Sequence, residues 1–145
     1  MKKLRSVTIS PHANLTGSVP RHFNLNLTHV DFLGNKLQGK TPSSITLLEN
    51  LGKLDLSSNS LNGEIPISFG DLIPVKNTSL ASNSLSVAIL ELMFAIPGLV
   101  HVDLSSNKLN GTIPEFLFDM KRLKHLNLAN NDFDGVLLYK QIVSV

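Results

Sequence analysis

Residues 51–66 read Leu51-Gly-Lys-Leu-Asp-Leu-Ser-Ser-Asn-Ser-Leu-Asn-Gly-Glu-Ile-Pro66, and this stretch decides the fold. The same skeleton returns at residues 99–114, with a valine at its fourth position. The chain contains six such units, which begin at Leu4, Leu27, Leu51, Val75, Leu99 and Leu123. Successive starting residues lie 24 residues apart, except for the step from Leu4 to Leu27. Self-similarity at a fixed period predicts a stack of repeated coils.

The apolar spacing within each unit predicts a strand. Leu54 and Leu56 are two residues apart and share one face, whereas Lys53 and Asp55 point to the other face. One unit cannot bury its apolar edge alone, so neighbouring units stack with parallel strands roughly 4.8 Å apart. The sequence therefore predicts an α/β repeat solenoid of about six coils, with parallel strands on its concave face.

An asparagine occupies the ninth position in five of the six units. Its side chain carries two donors and an acceptor at the point where the backbone leaves the strand. We interpret these residues as a structural ladder that satisfies turn amides and carbonyls between coils. The ladder residues are Asn35, Asn59, Asn83, Asn107 and Asn131.

Beyond the Gly-x-Ile-Pro segment the apolar spacing changes to three residues, as in Phe69 and Leu72. This spacing predicts short 3-10 or α-helical turns on the convex face. The fourth unit has Val87 and Leu90 in place of the glycine and proline, so we expect a local distortion there. The first unit is also irregular, because Ala13 stands at the ladder position.

The repeats resemble plant-type leucine-rich repeats, which carry the additional Leu-x-Gly-x-Ile-Pro segment found at residues 61–66 and 109–114. The resemblance covers residues 4–138, which we predict to form one leucine-rich repeat domain, followed by a degenerate tail at residues 139–145. Residues 47–66 and 100–114 are most similar to the ectodomains of small plant receptor-like proteins. The same repeats occur in receptor-like kinases and in polygalacturonase-inhibiting proteins.

This resemblance implies a non-enzymatic recognition module at the cell surface or outside the cell. Its expected partners are a protein or peptide ligand in plant signalling or defence and a co-receptor kinase, without cofactor or metal. Two alternatives remain open: a secreted inhibitor of a cell-wall-degrading enzyme, and a truncated copy that has no ligand.

Net charge and cysteine content limit the kinds of partner and of chain terminus that we expect. The formal net charge of +2 is too small to indicate nucleic acid binding. The chain has no cysteine, whereas extracellular members of the resembled family end in cysteine-pinned caps, so we expect an uncapped array. We also expect neither a signal peptide nor a membrane span within these residues, which leaves a membrane connection only to segments outside them.

The outward positions of the strands form two columns across the stacked coils, one rich in histidine and one rich in aspartate. A flat, ordered array of polar side chains suits a protein or peptide ligand. The candidate ligand-binding residues are His29, Asp31, Lys53, Asp55, Ser79, His101, Asp103, His125 and Asn127.

Catalysis is not indicated by the sequence. His101 and Asp103 could form an acid–base pair, but we identify no serine or cysteine nucleophile in a strained turn and no glycine-rich phosphate loop. Two histidines on an open face would leave most of a metal's coordination shell to water. Four Asn-x-Ser/Thr patterns are glycosylation candidates: Asn14, Asn26, Asn77 and Asn110.

Overall fold

Each of the six coils contributes one short strand to a parallel sheet, in chain order, so every strand pairs with those of the adjacent coils. The computed structural model describes residues 4–87 and 90–134. This concave sheet consists of Ser6–Thr8, His29–Asp31, Lys53–Asp55, Asn77–Ser79, His101–Asp103 and His125–Asn127. The end of the sixth unit and the predicted tail at 139–145 lie outside the described residues.

A second parallel sheet, which we call the outer sheet, follows the ladder asparagines and also has six strands in coil order. This sheet is not among the features predicted from the sequence. Its signal is the alternation at residues 61–65, where Leu61 and Ile65 are buried and Asn62 and Glu64 are exposed. The outer strands are Thr16–Gly17, Lys36–Gly39, Ser60–Glu64, Ser84–Val87, Asn110–Thr112 and Asp132–Asp134.

The predicted convex turns are confirmed. Among the described residues, three coils contain a 3-10 helix, at Ser43–Leu47, Ile67–Asp71 and Glu115–Asp119, and the fourth coil has an α-helical turn at Leu90–Met93. Each 3-10 helix follows directly after a proline, which lacks an N–H for sheet pairing. The centre of each 3-10 helix buries one apolar side chain: Ile45, Phe69 or Leu117.

Between the sheets and the convex turns lies one continuous core. In the central coils, residues such as Leu54, Leu56, Leu80 and Leu104 have an exposed fraction of 0%. Residues of the first and sixth coils pack against this core but remain partly exposed: Val7, Ile9, Leu126, Leu128 and Phe133. The central coils therefore bury their apolar strand residues more completely than the end coils do.

The ladder position satisfies the backbone of two successive coils. The Nδ2 group of Asn59 lies 3.1 Å from the carbonyl oxygens of both Leu56 and Ser57, within its own coil. It also donates to the carbonyl of Phe32 in the preceding coil, at 2.9 Å. Its Oδ1 accepts from the N–H of Leu37 at 3.0 Å. The same set of hydrogen bonds recurs at Asn83, Asn107 and Asn131.

The residue before each ladder position adopts a positive φ. This corrects the sequence analysis, which identified no serine in a strained turn, because three of these residues are serines. They occupy a left-handed turn that recurs in every coil, so we assign them a structural role. The positive-φ residues at this turn are His12, Gly34, Ser58, Ser82, Ser106 and Asn130.

The fourth coil is distorted at the expected place. The pairing between the outer strands Ser60–Glu64 and Ser84–Val87 shifts register between Gly63 and Glu64. Among the described residues of the fourth coil, Val87 alone pairs with the next outer strand, at Asn110. The register shift occurs in the coil that lacks the glycine and proline of the consensus.

Candidate ligand-binding face

The concave sheet places the two predicted columns in register. Neighbouring strands pair His29 with Lys53, Lys53 with Asn77, Asn77 with His101, and His101 with His125. Two residues further along, the aspartate-rich column is aligned in the same way: Thr8, Asp31, Asp55, Ser79, Asp103 and Asn127. The candidate residues therefore share one surface, although their role in binding stays a prediction.

A shallow hollow of about 200 Å³ lies on this surface. It spans the concave strands of the third to sixth coils. Buried residues including Leu54 and Val102 contribute to its lining. The candidate residues that line it are Lys53, Asp55, Ser79, His101, Asp103 and His125. Asn77 and Thr78 line it as well, whereas His29, Asp31 and Asn127 lie outside it.

Two of the aspartates are held by serines of their own coil. The Oδ1 atom of Asp55 accepts hydrogen bonds from the N–H and the hydroxyl of Ser57, at 3.0 and 2.5 Å. Asp103 makes the same contacts with Ser105, at 2.9 and 2.6 Å. These serines are not among the predicted site residues, and the repeated Asp-Leu-Ser at 55–57 and 103–105 is the signal that could have identified them.

The third aspartate of the face is paired across coils. The Nζ atom of Lys53 lies 3.0 Å from Oδ2 of Asp31, and the two side chains are 41% and 20% exposed. The other carboxylate oxygen of Asp31 accepts from the N–H of Leu33 at 3.2 Å. A pair of this exposure contributes about 0–1 kcal/mol to stability, so we assign it mainly to the orientation of the lysine.

The histidines fall into two groups. His101 and His125 are neighbours, with ring centroids 6.1 Å apart and planes tilted by 32°. The Nδ1 atom of His101 lies 2.9 Å from Oδ1 of Asn77 in the preceding coil. His29 is separate and contacts the hydroxyl of Thr28 at 2.8 Å. The two neighbouring rings and Asn77 therefore form one connected polar run across three coils.

The contacts do not assemble the acid–base pair considered from the sequence. His101 contacts Asn77, while the carboxylate of Asp103 accepts from Ser105 and, at 3.4 Å, from the side chain of Asn127. Within residues 4–87 and 90–134, no cluster of three or more histidine, aspartate or glutamate side chains is placed to hold a metal ion.

The glycosylation candidates occupy different surfaces. Asn14 and Asn110 are exposed, the latter in the outer sheet. Asn26 is half-buried, and its side chain donates to Asn24 at 3.0 Å. Asn77 lies in the concave sheet, where a glycan would cover the hollow. Among the described helices, none has the length and apolar content needed to cross a bilayer.

Comparison with known protein families agrees with this geometry. Residues 50–72, 98–120 and 122–139 match the family described as Leucine Rich Repeat. The chain is a leucine-rich repeat solenoid. These matches correspond to the third, fifth and sixth coils.

Several plant proteins resemble this solenoid. Receptor-like protein 55 of Arabidopsis thaliana is 51% identical over 49 residues, which are 34% of this chain and 11% of that protein. The chain thus spans about a tenth of the length of this curated relative.

Two solved plant receptor structures are similar across most of the solenoid. The ectodomain of the receptor kinase GASSHO1/SCHENGEN3 from Arabidopsis thaliana, in complex with CASPARIAN STRIP INTEGRITY FACTOR 2, is 30% identical with a TM-score of 0.84, and the match covers 90% of this chain and 16% of that one. The Arabidopsis receptor kinase HAESA, in complex with the peptide hormone IDA and the co-receptor SERK1, is 30% identical with a TM-score of 0.64. That match covers 81% of this chain and 24% of the other.

Proposed function

We propose that this chain is a non-enzymatic recognition module that binds a protein or peptide ligand on its concave face. The observation that carries the proposal is the in-register polar surface across all six concave strands. Its side chains are held by one another: Asp55 and Asp103 by serines, Lys53 by Asp31, and His101 by Asn77. A surface ordered in advance loses little conformational entropy on binding.

The shape of the hollow favours a macromolecular ligand over a small molecule. Pockets for small ligands enclose about 300–1,000 Å³ and bury most of the ligand. The hollow here is smaller, about 200 Å³, and lies open on a sheet surface. A protein or peptide that crosses several coils could instead use the whole face, and stable protein interfaces bury about 800 Å² on each partner.

The similar receptors support the same class of ligand. HAESA was solved with a peptide hormone and a co-receptor, and GASSHO1/SCHENGEN3 with CASPARIAN STRIP INTEGRITY FACTOR 2. By this similarity we extend the proposal to a cell-surface or extracellular location and to a co-receptor kinase as a second partner. The internal contacts of Asp103 and His101 favour binding rather than proton transfer by these groups.

Selection of a peptide followed by substitution within the hollow tests this proposal. A random-peptide display library is panned against the immobilised chain, and the affinity of the selected peptide is measured by calorimetry. Ser79→Arg places a long cationic side chain in the hollow and should weaken binding at least tenfold. Ser84→Arg is the matched control, because Ser84 is exposed on the outer sheet of the same coil. Equal affinities for the two variants would refute concave binding.

A further inference from the structure

The segments that lead into the concave strands have an unequal charge distribution. Residues 48–52, 72–76, 94–100 and 120–124 contain four cationic side chains and one carboxylate, Glu49. All four cationic residues are exposed, and we call them the basic edge: Lys76, Lys121, Arg122 and Lys124. The basic edge therefore borders the side of the concave sheet on which the strands begin.

The members of the basic edge are available to a ligand. In residues 4–87 and 90–134 the one ion pair within 4.0 Å joins Lys53 to Asp31, and it lies within the concave sheet. Asp71 and Asp119 are exposed at the ends of 3-10 helices that precede the basic edge, and neither forms an ion pair with it. The four cationic side chains of the basic edge therefore have no ion-pair partner among the described residues.

The aspartates of the concave face, in contrast, have contacts within the protein. Asp55 and Asp103 are the last residues of their concave strands. They accept hydrogen bonds from Ser57 and Ser105, respectively. Asp31 is bound to Lys53. The serine donors leave the negative charges of Asp55 and Asp103 in place on the sheet, whereas the basic edge carries four cations without an ion pair among the described residues, so electrostatic complementarity favours an anionic ligand along the edge.

Backbone hydrogen bonds fix the spacing of the basic edge. The carbonyl of Lys76 accepts from the N–H groups of Val100 and His101, at 2.8 and 3.0 Å. The carbonyl of Val100 accepts in turn from the N–H of Lys124 at 2.8 Å. Lys76 and Lys124 are therefore two coil steps apart, or roughly 10 Å at about 4.8 Å per step.

We infer that the basic edge binds an acidic peptide segment in the polyproline II conformation, whose carboxylates recur every third residue. This conformation has three residues per turn and advances about 3.1 Å per residue, so every third side chain lies on the same side, at roughly the 10 Å spacing between Lys76 and Lys124. Such a segment runs along the solenoid beside the hollow, where His101 and His125 add hydrogen-bonding capacity. This inference rests on the proposed function and specifies the chemistry of the peptide.

Two synthetic peptides and two double variants of the 145-residue chain test the inference. One nonapeptide has glutamate at every third position in a glycine–serine background, and the other has the same composition with its glutamates adjacent. Lys76→Gln/Lys124→Gln removes two charges from the basic edge. Lys36→Gln/Lys108→Gln is the matched control, because both lysines are exposed on the outer side of the second and fifth coils. Thermal melts verify that each variant is folded.

We expect the spaced peptide to bind the unmodified chain at least threefold more tightly than the adjacent-glutamate peptide, at about 50 mM salt. The basic-edge variant should weaken binding about tenfold, and the control less than twofold. Raising the salt to about 200 mM should reduce the difference between the variants because exposed charges are screened.

Equal weakening by both variants, or equal affinity for the two peptides, would overturn the inference. Tighter binding of an acidic oligosaccharide than of the spaced peptide would overturn the assignment to a peptide. Ser79→Arg could abolish binding of the library-selected peptide while the basic-edge variant leaves that binding unchanged. In that case the assignment of the basic edge as a binding site is wrong and the proposed function stands.

Discussion

The third and fourth coils have matching concave strands and different outer corners. In the third coil the outer strand Ser60–Glu64 contains Gly63, with φ of 76°, and Pro66 precedes a 3-10 helix. The fourth coil has Val87 at the glycine position, a shift of register in the outer sheet and an α-helical turn at Leu90–Met93. Yet the concave strands of the two coils pair without any shift.

This difference shows that the two sheets tolerate change unequally. The positive-φ turn and the ladder asparagine separate the sheets, and both are the same in the two coils: Ser58 and Asn59, and Ser82 and Asn83. Because the ladder fixes the chain just after each concave strand, substitutions at the outer corner need not propagate to the concave face. Substitutions at equivalent positions of the two coils should therefore change stability equally from the concave strand to the ladder asparagine, and unequally at the outer corner.

The largest expected effect is in the core that the two coils share. Leu56 and Leu80 occupy equivalent positions and are both 0% exposed. Leu56→Ala and Leu80→Ala should each lower the free energy of unfolding by about 2–5 kcal/mol, because each leaves a cavity. Urea denaturation measures both, and a much smaller loss for Leu80→Ala would show that the distortion reaches the core.

Next in size is the ladder. Asn59→Ala and Asn83→Ala should each cost about 1–3 kcal/mol, because carbonyl and N–H groups of two coils lose their partners. The exposed Asn62, in the outer sheet, provides a control for which Asn62→Ala should change stability by less than about 0.5 kcal/mol. Similar losses at all three positions would contradict the structural role of the ladder.

Substitutions at the outer corner should distinguish the third coil from the fourth. Gly63→Ala should cost about 1–2 kcal/mol, because its φ disfavours a side chain and its Cβ would meet the Lys40 side chain at 3.2 Å. Gly52→Ala is the control, since its Cβ would make only an ordinary contact with the carbonyl of Thr28 at 3.7 Å. In the fourth coil, Val87→Gly should also destabilise, by roughly 1 kcal/mol or more. Val87 does not have a positive φ, glycine raises the conformational entropy of the unfolded chain, and a half-buried side chain is lost. Stabilisation by Val87→Gly would show that the distorted corner is strained.

The smallest effect is expected at the serines that hold the aspartates. Ser57→Ala and Ser105→Ala each remove one hydroxyl donor from a carboxylate and should cost roughly 0.5–1.5 kcal/mol. Ser105→Thr should recover part of that loss, because threonine retains the hydroxyl. Thermal melts of the three variants provide the measurement, and no loss for either alanine variant would mean that the backbone N–H alone orients the aspartate.

The sequence was sufficient for features that depend on period and alternation. Leu54 and Leu56 placed Lys53 and Asp55 on the concave face, and the fixed period then aligned both columns. The substitution at Val87 located the distortion. Those inferences need only the direction of side chains along a strand and the stacking of equal units.

Features that depend on rotamers and on local φ were missed. The hydrogen bonds of Ser57 with Asp55 require one particular side-chain conformation, which period alone does not specify. The left-handed turn falls on serine in three coils, and serine lacks the sequence signal that glycine gives at Gly34. The outer sheet is hard to predict from the sequence because its short strands follow directly after the turn and overlap the Gly-x-Ile-Pro segment.

Chemical-shift mapping of backbone amides, with and without the library-selected peptide, tests the central claim most directly. The account predicts shifts at Lys53–Asp55, Asn77–Ser79 and His101–Asp103, of similar size in the third and fourth coils despite their different corners. The outer strands Ser60–Glu64 and Ser84–Val87 should remain unchanged. Shifts confined to the outer strands, with none on the concave sheet, would contradict the account.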